Sequence, residues 1–192
     1  MRQTDTEKIE RVKLATIKTV VEKGYFGATI SVIATEAGVS DGYLYRHYKN
    51  KCELVESLFV ENRDAFHGFI FDIIPKKETV REVMENICNF ILQSYTSNPV
   101  LIQFYVVLAH DHSFDFPEKV RNDIRKIGEK LHEKGRLTGE VGADTEIEDV
   151  LVTFFGLQSK MLEMYQRNIV SEEYFKNKAK TRIIELCTKA WA

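Results

Sequence analysis

The chain has 192 residues, 44% of them hydrophobic and 29% charged, with a formal net charge of −2. It is long enough to bury a sizeable core and too apolar for a disordered chain. No apolar run approaches the roughly 20 residues that a bilayer span needs, so no membrane partner is expected. The opening residues, Met-Arg-Gln-Thr-Asp-Thr-Glu-Lys, run straight into charged amphipathic sequence and do not read as a secretory signal. Cys52, Cys88 and Cys187 are far apart and odd in number, which reads as reduced thiols in a cytoplasmic protein. The charge is uneven. Residues 1–51 carry nine Lys or Arg, Arg2 among them, against six acids, a net +3 that leaves −5 on the remainder. A basic head on an acidic body points toward nucleic acid.

Few prolines and long Glu-, Lys-, Leu- and Ile-rich stretches predict helix throughout. The first helix is expected over Asp5–Lys23, with a Thr4/Glu7 capping box, an apolar face of Ile9, Val12, Ala15, Thr16 and Val20, and Gly24 as its stop. A short second helix, Ile30–Ala37, is capped by Thr29 or Ser31 and turns Ile33, Ala34 and Ala37 inward. After the turn Gly38-Val39-Ser40, Ser40 caps a third helix from Asp41 to His47 or Tyr48. A long helix follows from Lys51 to Ile74 and stops at Pro75; another is expected over Thr79–Ser97. Asn98-Pro99 restarts the chain into a segment, to His110, that is apolar nearly all round and is expected at the centre of the body. Glu118–Arg136 is helical, glycines 135, 139 and 142 mark a connection, and two last helices are expected over Asp144–Asn168, capped by Asp144 or Thr145, and Ser171–Trp191. The fold class is therefore all-α, with about nine helices. A head, residues 1–50, precedes a body, residues 51–192.

The second and third segments carry the functional signal. Two short helices crossing steeply need a small residue at their contact, a glycine in the turn and apolar plugs on either side. Ala34, Gly38, and Val39 with Leu44 supply these in order. The pair is too short to stand alone, so the first helix must pack across it. The result is a three-helix head with a helix-turn-helix. The exposed face of its third helix is expected to carry Asp41, Gly42, Tyr43, Arg46 and His47, with Ser40 at the helix start. Such a helix enters the major groove of double-stranded DNA with its N-terminal residues at base edges. Arg46 can reach guanine acceptors, and Tyr43 and His47 a thymine methyl, a base edge or a phosphate. Gly42 lets the backbone approach, while Thr29 and Lys51 lie at helix starts suited to phosphates.

Gly24-Tyr25-Phe26-Gly27-Ala28-Thr29-Ile30, Ile33-Ala34, Ala37-Gly38-Val39-Ser40, Gly42, Leu44-Tyr45, His47-Tyr48 and Lys51 together resemble the tetracycline-repressor (TetR) family of bacterial regulators. The resemblance covers residues 9 to about 59. It implies a homodimer through the last two helices, a palindromic operator, and a body that binds a small-molecule effector. It also implies that Thr29, Tyr45 and Lys51 contact phosphates and that Tyr43, Arg46 and His47 contact the operator. Two positions depart from the family pattern. Ala28 replaces a usual threonine or serine, which removes one cap, and Tyr43 replaces a residue that is often small or threonine.

In the body, aromatics with interspersed polar residues suit a hydrophobic or aromatic ligand, and Phe66, Phe69, Phe90, Phe104 and Tyr105 are the candidate lining. The bland reading is core packing, in which case the body is a protein-interaction module without an inducer. Val150, Leu151, Phe154, Phe155, Leu157, Met161, Leu162 and Tyr165, with Ile183, Ile184, Leu186, Cys187 and Trp191, exceed what a small body can hide, which favours a four-helix interface between two subunits. His110-Asp111-His112 fits no metal spacing and reads as a loop. No Gly-x-Ser-x-Gly, phosphate-cradling glycine loop or His-Glu-x-x-His occurs, so no catalytic residue, cofactor or metal is assigned and an enzyme is not expected.

Overall fold

A computed structural model describes residues 4–192; Arg2, counted above in the charge of the head, lies outside them. Among the described residues there are ten α-helices, one 3₁₀ turn at Ile74–Lys76 and no strand. In chain order they are α1 (Asp5–Gly27), α2 (Ile30–Ala37), α3 (Asp41–His47), α4 (Lys51–Ile73), α5 (Val80–Ser97), α6 (Pro99–His110), α7 (Glu118–Thr138), α8 (Ile147–Gln166), α9 (Glu172–Asn177) and α10 (Ala179–Trp191). No helix is long and apolar enough to cross a membrane. The chain divides into two compact units. One runs up to Asn62 and includes Ser97–Pro117; the other comprises Arg63–Thr96 and Glu118–Ala192.

In the first unit, α1 begins with the expected reciprocal cap between Thr4 and Glu7. Its apolar face is buried at Val12, Ala15, Thr16, Thr19 and Val20. Gly24 leaves helical geometry (φ 71°, ψ 169°), but one further turn resumes to Gly27, so the helix is kinked rather than ended there. Thr29, not Ser31, caps α2, its Oγ1 accepting from Val32 N at 3.3 Å. Ser31 Oγ is instead spent on Asp41 Oδ2, which ties α2 to α3. Gly38 ends α2 in the left-handed conformation (φ 63°, ψ 42°). Gly38 N donates to Thr35 O and Val39 N to Ala34 O, the paired bonds of a Schellman turn. Ser40 Oγ then accepts from Tyr43 N to start α3, and Leu44 is fully buried. Asn50 caps α4 by accepting from Glu53 N.

Helix α6, expected at the centre of the body, packs against α1 in this first unit. Phe104, Val106 and Leu108 are its buried side, while Val100 is 42% exposed. Its apolar composition therefore fills one side only. Phe114, in the loop after it, sits edge-on to Tyr25 at 5.3 Å and to Phe59 at 5.2 Å, so the loop closes over α1 and the start of α4.

The second unit has a continuous core in which Ile70, Val83, Met84, Ile87, Ile127, Leu131, Val150, Phe154, Ile184 and Trp191 are shielded from water. Two of the departures from the expected helix ends bring new contacts. Glu146, not Asp144 or Thr145, starts α8 in a reciprocal cap with Asp149. Thr145 Oγ1 donates to Trp191 O instead, and Trp191 Nε1 donates to Thr153 Oγ1. The expected last helix, Ser171–Trp191, breaks at Lys178 into α9 and α10. The break lets Phe175 lie flat on Tyr165, with centroids 4.0 Å apart and planes 2° from parallel.

Two positions test this packing. A Cβ at Gly135 would stand 2.2 Å from Val141 Cγ2, a contact the buried valine cannot vacate. Gly135→Ala is therefore expected to destabilise by about 1–3 kcal/mol through overpacking, read as a lower urea midpoint. Ser40→Ala removes the cap of a seven-residue helix and is expected to cost about 1 kcal/mol, read in the thermal melt of the purified protein.

Candidate nucleic-acid interface

The head presents α3 by its outer face. Gly42, Tyr45, Arg46 and His47 are exposed along it, Asp41 is half-buried, and Ser40 and Thr29 are exposed at the starts of α3 and α2. Tyr45 is 58% exposed, so its hydroxyl is open to a partner. Six of the expected contact residues are thus open to solvent. Tyr43 is the correction. Expected on the exposed face, it is only 4% exposed, because the ring packs inward toward the start of α1.

Lys51 is half-buried and already engaged. Its Nζ donates to Tyr25 O at 2.8 Å and lies 3.9 Å from the centre of the Tyr25 ring. Burial holds its pKa below the ordinary lysine value, with Asp111 working the other way. Tyr25 is itself buried, and loss of water pushes its hydroxyl pKa well above the usual range. Ala28, where one cap was expected to be lost, is fully buried, so the position serves packing and Thr29 alone carries the cap.

Two other cations of the head are paired. Lys13 meets Glu61 at 2.8 Å and Lys18 meets Glu36 at 2.5 Å. Each pair raises the lysine pKa, chiefly through the hydrogen bond to its carboxylate. Arg46, by contrast, faces outward, its guanidinium carbon 5.2 Å from the centre of the Tyr43 ring.

The expected ligand-lining residues fall in both units. In the second unit Phe69 stacks on Phe90 at 4.6 Å, and Phe66 approaches Phe90 at 5.5 Å. In the first, Phe104 and Tyr105 are 5.8 Å apart, and Tyr105 meets Phe59 at 5.5 Å. A cleft in the second unit has a different lining, which includes Cys88, Ile91, Leu92, Met161 and Phe175. Sequence reasoning passed over His67. It is 2% exposed, and its Nδ1 stands 3.6 Å from Asp123 Oδ2. Burial holds its pKa below the ordinary histidine value, assisted by the positive Arg63, so the ring is neutral near pH 7. Its place one residue after Phe66 and three before Ile70 was the available signal, since that is an inward position of α4. Cys52, Cys88 and Cys187 are free thiols. Among the described residues, no group of three His, Cys, Asp or Glu is arranged to hold a metal, and His110 Nδ1 contacts Val106 O.

Residues 14–58 match the family of bacterial regulatory proteins described as the tetR family. A fatty acid metabolism regulator protein of Bacillus subtilis (strain 168) is 37% identical over 120 residues, which are 62% of this chain. The match spans about half the length of that relative, 54%. An HTH-type transcriptional regulator of Staphylococcus aureus (strain USA300) is 28% identical over 126 residues, 60% of this chain and 68% of the relative. Among solved structures, a tetR family transcription regulator from Shewanella sp. PV-4 superimposes with a TM-score of 0.77 at 22% identity, covering 96% of this chain and 98% of that one. The transcriptional regulator FadR from Bacillus subtilis, solved with stearoyl-CoA, gives 0.72 at 19% identity, covering 96% and 100%. The last two likenesses establish the fold: a helix-turn-helix head on a helical body. With the glycine-turned helix pair and its matched sequence in place, residues 14–58 are similar to the tetR family of bacterial regulatory proteins.

Proposed function

We propose that the protein is a repressor that reads a palindromic operator as a homodimer and is released by a hydrophobic small molecule. The observation that carries this reading is the exposed row Gly42, Tyr45, Arg46 and His47 on a helix braced by the Schellman turn at Gly38. Arg46 and His47 read base edges. Tyr45, Ser40, Asp41 and the backbone at Gly42 meet the groove wall, and Thr29 at the start of α2 holds a phosphate. Lys51 acts from its seat on Tyr25, adding positive potential at the edge of the interface.

The dimer is supported by apolar surface left on α8 and α10. Val152 is 71% and Leu186 45% exposed, with Phe155 and Leu157 half-buried beside them. A two-fold pair built on these helices would set two copies of α3 roughly 34–36 Å apart, or a multiple of that, to match successive major grooves. A target on the bacterial chromosome places the protein in the cytoplasm.

For the ligand, the aromatic stack Phe66–Phe90–Phe69 and the buried neutral His67 supply apolar walls and one polar group in the second unit. The relative named for fatty acid metabolism and the FadR complex with stearoyl-CoA support a long-chain acyl thioester as the ligand class. Binding releases DNA only if the ligand prefers the state that does not fit the operator.

Gel shift against the region upstream of the protein's own gene tests the reading. Arg46→Ala is expected to weaken specific binding by about 1–3 kcal/mol and to relax the base preference at one position of each half-site. Tyr45→Phe is expected to weaken specific and unrelated duplexes alike, as a phosphate contact does. Specific binding untouched by Arg46→Ala would remove α3 from the reading role. Titrating stearoyl-CoA into the preformed complex is expected to free the DNA, whereas coenzyme A alone leaves it bound. A complex indifferent to acyl thioesters of every chain length would exclude that ligand class.

A further inference from the structure

The buried Tyr43 joins two elements distant in sequence. Its hydroxyl donates to Asp5 Oδ1 at 2.9 Å and approaches Asp5 O at 3.3 Å, across 38 residues of chain. The other carboxylate oxygen, Asp5 Oδ2, stands 4.0 Å from His47 Nε2. The Tyr43 and His47 rings are 4.8 Å apart, the Arg46 guanidinium carbon is 5.2 Å from the Tyr43 centroid, and Lys8 Nζ is 5.6 Å from it. Both exposed side chains assigned to base reading therefore rest on one ring, and that ring is pinned to the first turn of α1.

We propose that Asp5 and Tyr43 form a latch that aims Arg46 and His47, so that Asp5 and Tyr43, as positioning residues, set the base preference of the protein without touching a base. The inference rests on the DNA-reading function proposed above. A buried tyrosine hydroxyl needs a partner, and an ionised carboxylate makes the stronger bond. Helix α3 is only seven residues long, and a helix this short has no rigidity of its own. A side chain that holds its outer edge to α1 therefore fixes its roll. Arginine reads guanine through a planar fork, so the direction of the guanidinium decides whether both bonds form. A flat aromatic surface beneath Arg46 removes rotamers before DNA arrives, which is preorganisation rather than contact. The Asp5 carboxylate, 70% exposed at this edge, also repels backbone phosphates. The latch therefore favours discrimination over bulk affinity.

The test uses the full chain and a duplex that the wild-type protein selects from a randomised library, with an unrelated duplex of the same length as reference. Tyr43→Phe and Asp5→Ala are each expected to lose roughly tenfold in affinity for the selected duplex, the lower range of what one bidentate base contact is worth. Binding to the unrelated duplex is expected to hold or rise. In an Arg46→Ala background the same changes are expected to add little, because residues that act through one another do not add. A parallel fall on both duplexes with a lower melting temperature, additive with Arg46→Ala, would assign Asp5 and Tyr43 to stability alone and overturn the latch. Asp5 is exposed, so Asp5→Ala keeps the question answerable even where Tyr43→Phe folds poorly. Variants that bind both duplexes as the wild type does overturn the latch while leaving DNA reading intact. A wild-type chain that selects no duplex overturns both.

Discussion

Helices α2 and α3, eight and seven residues long, are below the length at which a helix holds itself together in water. Everything the head does depends on α1 lying across them. Ile33, Ala34 and Leu44 on the short pair and Val12, Ala15 and Val20 on α1 are all nearly or wholly shielded from solvent. Burying large aliphatic side chains at about 1.5–3 kcal/mol each supplies what the short helices lack. The same packing places α6 against α1. A shift of α6 within the first unit would thus be felt by the helix on which α2 and α3 rest.

Local chemistry made much of this legible. The Thr4/Glu7 box, Thr29, Ser40 and Asn98 all cap where their residue types and spacing indicate, because a cap is decided within four residues. Gly38 was readable for the same reason. What escaped was decided at long range. Tyr43 looks exposed on a helical wheel until Asp5, far back in the chain, offers its hydroxyl a carboxylate. Thr145 loses its capping role to the carbonyl of Trp191, a partner 46 residues away. The break at Lys178 carries no proline or glycine to announce it; the stacking of Phe175 on Tyr165 accompanies it. The apolar character of α6 was read correctly but assigned to the wrong neighbours, since composition tells how much surface wants burial and not against what.

The second unit combines close packing with one costly group. Gly128 and Gly135 sit where a methyl group would collide with Leu151 and Val141, so α7 approaches its neighbours at backbone distance. Within the same unit, His67 is held without a short hydrogen bond, its nearest acidic oxygen 3.6 Å away on Asp123. A histidine so placed costs stability that an aliphatic residue would not. With Asp123 and Arg63 beside it, His67 makes that stretch of α4 chemically distinct from the surrounding aliphatic core.

The engaged cations of the head bear on how the protein finds its target. Lys13 and Lys18 face carboxylates and Lys51 faces a carbonyl, so these three cations have less to offer in displacing counterions from arbitrary DNA. A chromosome offers roughly 10⁶–10⁹ competing sites, and a strongly basic head would be sequestered among them. Under the DNA-reading function proposed above, pairing Lys13 and Lys18 internally leaves more of the selection to the fit of α3 and less to bulk charge.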